Sequence, residues 1–318
     1  MNTITASVLY RPETEQQKFL PEGPYPVPDG RLSWVAIQHG ADAKFGSLNL
    51  LDLNSGKNVC YPLPGRPGFA FPTSRPGVFV IGMERHVVLF DTGTQAVNPI
   101  STEVDASVSG TIINDGMVWQ DQLIFGCKDV KFAEQKAGLY LLRPGQAEPV
   151  QLRSDQTCSN GKAVAVRGDG QHVLYDICSK TQQVVSWNLD LAAGRVSDRR
   201  VIVDLTKEGV FPDGMILSPD GRSVIVALYD PRDREIGEAR QYAIATGEVE
   251  TVWQCPGSPR VTCPQLIRHQ GGVKLVLTTA DEGMPAELRA RCANVGALFI
   301  APTDFAKPCD SPPYPLGG

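Results

Sequence analysis

What the chain lacks narrows its function before anything it contains. No apolar stretch approaches the roughly 20 residues that a bilayer-spanning helix needs, so no membrane partner is expected. No basic run stands out against a net charge of −5, which argues against nucleic acid. The opening residues Met1 to Tyr10 have neither a basic n-region nor an apolar h-region. No signal peptide is therefore read, and a cytoplasmic location is expected. The eight cysteines include no C-x-x-C pair, which removes the usual structural zinc and thioredoxin-like patterns. Most read as small buried hydrophobes. Cys255 and Cys263 bracket a Pro/Gly turn and could be bridged, although the missing secretory signal weighs against it. There is no G-x-S-x-G elbow and no glycine-rich nucleotide fingerprint. Only four histidines occur, His39, His86, His172 and His269, each on or beside a β-rich run, where a structural role is the expectation. No long helical period survives anywhere.

What is present is repetition. The chain has 318 residues, 42% hydrophobic and 20% charged, the balance of an ordinary soluble protein. Short β-rich runs alternate with Gly, Pro and Asp turns. Gly30 to Ile37 is followed by Gly46 to Leu53, Gly77 to Gly82 by His86 to Asp91, and Asp121 to Gly126 by Gly138 to Leu142. Gly170 to Asp176 is followed by Val184 to Leu189, Gly221 to Leu228 by Ala239 to Ile244, and Gly272 to Thr278 by Gly296 to Ile300. This makes about six copies of a unit on the order of 45–50 residues, the signature of a β-propeller. The expected fold is all-β, a six-bladed β-propeller forming one domain over residues 1–318. In each copy the Gly-opened run is read as the inner strand. A strand at residues 6–13 is expected to complete the last blade, Thr14 to Lys18 to be a polar link, and residues 302–318 to be an irregular tail.

Polar corners recur at one point of the repeat. They are Leu20-Pro-Glu22-Gly23-Pro24, Ile113-Asn114-Asp115-Gly116, Cys158-Ser-Asn160-Gly161 and Val210-Phe-Pro-Asp213-Gly214. Pro fixes φ and Gly accepts φ > 0, so each reads as a tight turn. In a propeller such corners share one mouth of the central channel, however far apart they lie in sequence. Two carboxylates and one or two amide oxygens make a hard-oxygen site for one divalent cation. Ca²⁺ suits it best, and Mg²⁺, Mn²⁺ or Zn²⁺ are possible. The alternative is four separate turns with solvated tips.

The order and spacing of these corners, with Gly194-Arg-Val-Ser-Asp-Arg-Arg200, Gly283-Met-Pro and Gly296-Ala-Leu-Phe, resemble the senescence marker protein/gluconolactonase/luciferin-regenerating enzyme (regucalcin-like) family. The resemblance covers roughly residues 20 to 300. It implies that Glu22, Asn160 and Asp213 hold the cation and that Asn114 is a further ligand or a substrate contact. It also implies hydrolysis of a lactone or related ester, with Asp213 as the catalytic proton acceptor. One departure stands out: sugar-lactone-hydrolysing relatives carry an Arg at the position of Ile112, where it grips substrate hydroxyls. The nearby stretch reads Gly126-Cys-Lys128-Asp129-Val-Lys131, without the carboxylate expected there. Lys128 and Asp129 are candidates to line the altered pocket with Ile112 and to bind an anionic group, or else they form a solvated loop. Trp119 is expected in the core. The expected partner is a small-molecule substrate, and the oligomeric state is open. The alternatives are an isomerisation, cyclisation or dehydration on the same cation, or a non-catalytic Ca-binding propeller.

Overall fold

A computed structural model describes residues 2–316. Six antiparallel sheets, each built on four consecutive strand positions, stand around a central channel as the blades of a β-propeller. The innermost strands, one per blade, are Pro21–Pro26, Pro67–Pro72, Thr111–Trp119, Ser159–Val166, Phe211–Leu217 and Val261–His269. The Gly-opened runs are therefore the second strands, such as Arg31–Ala36, Val78–Met83 and Ser223–Tyr229, not the inner ones. The reason for this correction is burial. A second strand is covered on both faces by neighbouring blades, so it reads as a continuous apolar run, as in Ser223–Tyr229. The inner strand borders the channel and carries its polar residues and glycines.

The polar corners also differ from the expectation. They are not turns before a strand but β-bulges inside the inner strands. Register slips between Glu22 and Tyr25, Ile113 and Gly116, Asn160 and Lys162, and Pro212 and Met215. The other two inner strands slip at the same point, between Pro67 and Phe69 and between Val261 and Cys263. A bulge puts an extra residue against the partner strand and re-aims its side chain. Glycine fits here because the adjacent inner strands touch. A Cβ on Gly214 would stand 2.7 Å from Cys263 Sγ and 2.8 Å from the Thr262 carbonyl oxygen. A Cβ on Gly161 would stand 2.8 Å from the Asp213 carbonyl oxygen.

Apolar clusters fill the wedges between blades. Phe69, Phe71, Val80, Phe125 and Tyr140 join the second and third blades; Ile225, Trp253, Leu266 and Leu275 join the fifth and sixth. The ring closes through the N-terminus. Ser7–Tyr10 pairs antiparallel with Leu298–Pro302 as the outer strand of the sixth blade, with Val8 opposite Phe299. Asn2–Thr5 adds a fifth, parallel strand to the fifth blade along Val249–Pro256, which the sequence pattern did not suggest. Glu15–Lys18 is a short helix rather than a polar link, because Thr14 caps it by accepting from Gln17 N at 3.2 Å. Past Pro302 the described residues of the tail form no strand, but the tail is fixed: Tyr314 is buried and bridges to Thr73. All eight cysteines are free thiols, Cys255 and Cys263 among them. Among the described residues, no helix is long and apolar enough to cross a membrane.

Candidate functional site

Four blades place their bulged residues at one mouth of the channel. Glu22 comes from the first blade, Asn114 from the third, Asn160 from the fourth and Asp213 from the fifth. Asn114, Asn160 and Asp213 are buried and Glu22 is partly so. Asn114 Nδ2 donates to Asn160 Oδ1 at 2.7 Å and to the Ser159 carbonyl at 3.0 Å. Asn160 Nδ2 donates to Ser179 Oγ at 2.8 Å, and Ser179 Oγ donates to the Pro212 carbonyl at 2.7 Å. This relay ties the third, fourth and fifth blades together. It fixes the Asn160 amide and links it to the backbone next to Asp213.

The electrostatics are those of an anionic cavity. Burial pushes the Asp213 carboxyl well above the ordinary carboxylate range, the charge of Asp115 adds to the effect, and Lys128 opposes it. Burial likewise raises Glu22, reinforced by Asp213 and Asp115. Glu282 raises both further. Among the described residues no three His, Cys, Asp or Glu side chains come together as a metal cage. The donor set is instead two carboxylates, Glu22 and Asp213, with amide oxygens. That set fits a hard divalent cation, which would lift the mutual repulsion that raises both carboxyls.

The remaining candidates separate. Lys128 lies beside the carboxylates and bridges to Cys158 at the blade boundary. Ile112 is buried in the third blade's inner strand, opposite Lys128, and brings no polar group. Asp129 has another task, which corrects its reading as a pocket residue. It is 1% exposed, and its carboxylate accepts from the backbone N–H groups of Ala133 and Glu134 at 3.0 Å and Lys131 at 3.3 Å. Lys136 stands 3.4 Å away. Burial alone would raise the Asp129 carboxyl, but these donors hold it at about 2. Its acceptor sites are spent on its own loop.

Three residues at the mouth escaped sequence reasoning. Glu282 follows the second strand of the sixth blade, next to the Gly283-Met-Pro motif, but outside the bulge position that repeats. Phe211 and Phe132 pack edge to face, with ring centroids 5.4 Å apart, beside the start of the Asp213 strand. Trp119 is only partly buried; its ring meets His172 edge-on, and it borders the channel's far end. His39 bonds Ser47 Oγ at 2.9 Å, away from the mouth.

Comparison with known proteins agrees with this geometry. The model of the SMP-30/Gluconolactonase/LRE-like region matches residues 20–281. Regucalcin of Gallus gallus is 27% identical over 295 residues, covering 87% of this chain and 93% of that protein. A calcium-binding protein, regucalcin, from Agrobacterium tumefaciens superposes with a TM-score of 0.80 at 20% identity, covering 99% of both chains. A luciferin-regenerating enzyme gives a TM-score of 0.76 at 18% identity, over 98% of this chain and 99% of that one. A gluconolactonase from Xanthomonas campestris gives 0.65 at 14% identity, over 93% and 89%. At such identities the structural likeness establishes the propeller, while the family model matches most of the chain. The chain belongs to the SMP-30/gluconolactonase/LRE-like family.

Proposed function

We propose that the protein is a metal-dependent hydrolase that opens a lactone or cleaves a related ester at this mouth. The observation that carries the reading is the convergence of Glu22, Asn160 and Asp213 on bulges of three blades, with both carboxyls raised by burial and nearby negative charge. Family membership supports lactonase-type chemistry. Held by Glu22, Asn160 and Asp213, a divalent cation supplies Lewis acidity toward an ester carbonyl. Ca²⁺ suits this oxygen donor set best.

The chain's own groups do the rest. Asp213 is assigned as the proton acceptor for the attacking water because its carboxylate would stand beside the cation that water approaches. Asn114 keeps the Asn160 amide in place through its 2.7 Å hydrogen bond. The Lys128 ammonium lowers both carboxyls, and its role is to bind an anionic substituent or an oxygen of the substrate. Ile112 offers no grip for a polyol, and Phe132 and Phe211 add apolar surface beside the start of the Asp213 strand. The substrate is therefore less polyhydroxylated than an aldonolactone.

Elemental analysis and a lactone and ester panel, run with EDTA and with added Ca²⁺, Mn²⁺ and Zn²⁺, test this reading. The expected result is one metal per chain and turnover that EDTA abolishes and metal restores. One bound metal with no turnover on the panel redirects the site to a non-hydrolytic step or to calcium binding alone. Failure to bind metal at any concentration overturns the assignment of Glu22, Asn160 and Asp213.

A further inference from the structure

The channel has a second end, and the mouth described above does not reach it. From the bulge residues Gly23, Asp115 and Cys263 onward, the inner strands line an open cavity of about 760 Å³. Tyr25, Phe69, Phe71, Met117 and Met215 line it, with Lys162 among them; Glu22, Asn114, Asn160 and Asp213 do not. The C-terminal tail forms the outer wall. Tyr25 Oη donates to the Pro312 carbonyl at 2.9 Å, Gln265 Nε2 donates to Ser311 Oγ at 3.0 Å, and Tyr314 N donates to the Pro72 carbonyl at 2.8 Å. The tail is thus strapped across the first, second and sixth blades, leaving an opening beside it. A chamber of this size with aromatic walls has the dimensions of a small-molecule site.

Its polar groups indicate what it takes. Lys162 is 4% exposed, and its ammonium has three N–H donors. Among the described residues it has one hydrogen-bond acceptor, the Asn160 carbonyl, and no ion pair within 4.0 Å. A buried ammonium with unused donors is costly unless an acceptor comes to it. Asp115 lies on the same wall and Asp176 pairs with Lys162 across the strands, and the Lys162 charge lowers both carboxyls against the rise that burial causes. A further anion would meet two carboxylates; a neutral oxygen would not.

We infer that this chamber is a second binding site, for a neutral, largely apolar small molecule whose carbonyl oxygen accepts from Lys162. Its lining includes none of the proposed cation ligands, although Asp115 borders both sites, and dye binding is expected to be independent of the cation. The probe is Nile red, a neutral apolar dye with a carbonyl oxygen, titrated into the full-length protein with and without EDTA. Blue-shifted emission saturating at one dye per chain is expected, unchanged by EDTA. Lys162→Met should weaken binding about tenfold, the value of a hydrogen bond from a charged donor. Ala165→Phe, which leaves Lys162 in place and adds a ring at the chamber wall, should weaken it at least as much. Both variants are checked for an unchanged melting temperature, and Ala165→Phe carries the test if Lys162→Met does not fold. Non-saturable binding, loss of binding with EDTA, or unchanged affinity in a folded variant overturns the inference.

Discussion

Asp213 reaches the channel because Pro212, Asp213 and Gly214 sit in a bulge, and its basicity comes from burial and from Asp115. Replacing it with Asn keeps the shape and removes one charge from the anionic cavity. Asp213→Asn should lower cation affinity by at least tenfold and turnover by about 10²–10⁴-fold, the usual contribution of a positioned proton acceptor. Calorimetric metal titration and steady-state rates check this; unchanged affinity in the folded variant would remove Asp213 from the site. Asp129 illustrates the opposite outcome. Its carboxyl is held at about 2, below the ordinary value near 4, so its charged form stabilises the fold. That contribution is fully present above the unfolded-state value and is lost as pH falls from about 4 through about 2. Asp129→Asn should therefore cost on the order of 1–2 kcal/mol at pH 7, and the difference from the parent should shrink toward zero near pH 2. Urea unfolding at several pH values reads this out; a pH-independent difference would show that the carboxylate charge is not what matters. Sequence alone placed Lys128 and Asp129 together because they are adjacent. Alternation along the strand separates them, sending one toward the carboxylates and the other into its own loop.

At the scale of elements, the second and third strands were legible and the inner strands were not. His86–Asp91 appears with the bounds that its sequence pattern suggests, because apolar residues between turn residues are a local signal. The inner strands contain Pro, Gly and carboxylates, which read as turns until the neighbouring blade is present. Their glycines record contact between blades rather than chain reversal. Gly214→Ala would force a Cβ against Cys263 and the Thr262 carbonyl. It should destabilise the fold by about 1–3 kcal/mol, the range for overpacking a tight contact, and weaken metal binding by displacing Asp213. Thermal unfolding and metal titration of the same variant test both effects, and a neutral substitution would mean that the two inner strands have room to part. Glu282 escaped notice because it lies on a loop of the sixth blade, where no repeat position marks it.

For the whole molecule, stability depends on closing the ring. The sixth blade takes its outer strand from Ser7–Tyr10, so the chain's second strand and its last strand are held in one sheet. Val8→Pro would remove a backbone N–H from that strand opposite Phe299 and impose a fixed φ. A loss of about 1–3 kcal/mol is expected, with a broadened calorimetric transition as the blades begin to melt separately. A sharp, unshifted transition would show that the ring holds without this strand. The sequence by itself determined the six-fold β-repeat, because period, turn residues and apolar runs are properties of neighbouring positions. It also singled out polar residues that recur beside glycines. Only the tertiary structure decided that these residues lie in bulges rather than turns, that Glu282 lies beside them, and that the tail walls a second chamber. Those outcomes rest on contacts between segments such as Asn114 with Asn160, and Tyr25 with Pro312. Asn114 and Asn160 lie one repeat apart, but Tyr25 and Pro312 are separated by 287 residues, a distance that leaves no periodic mark and that only the closed ring bridges.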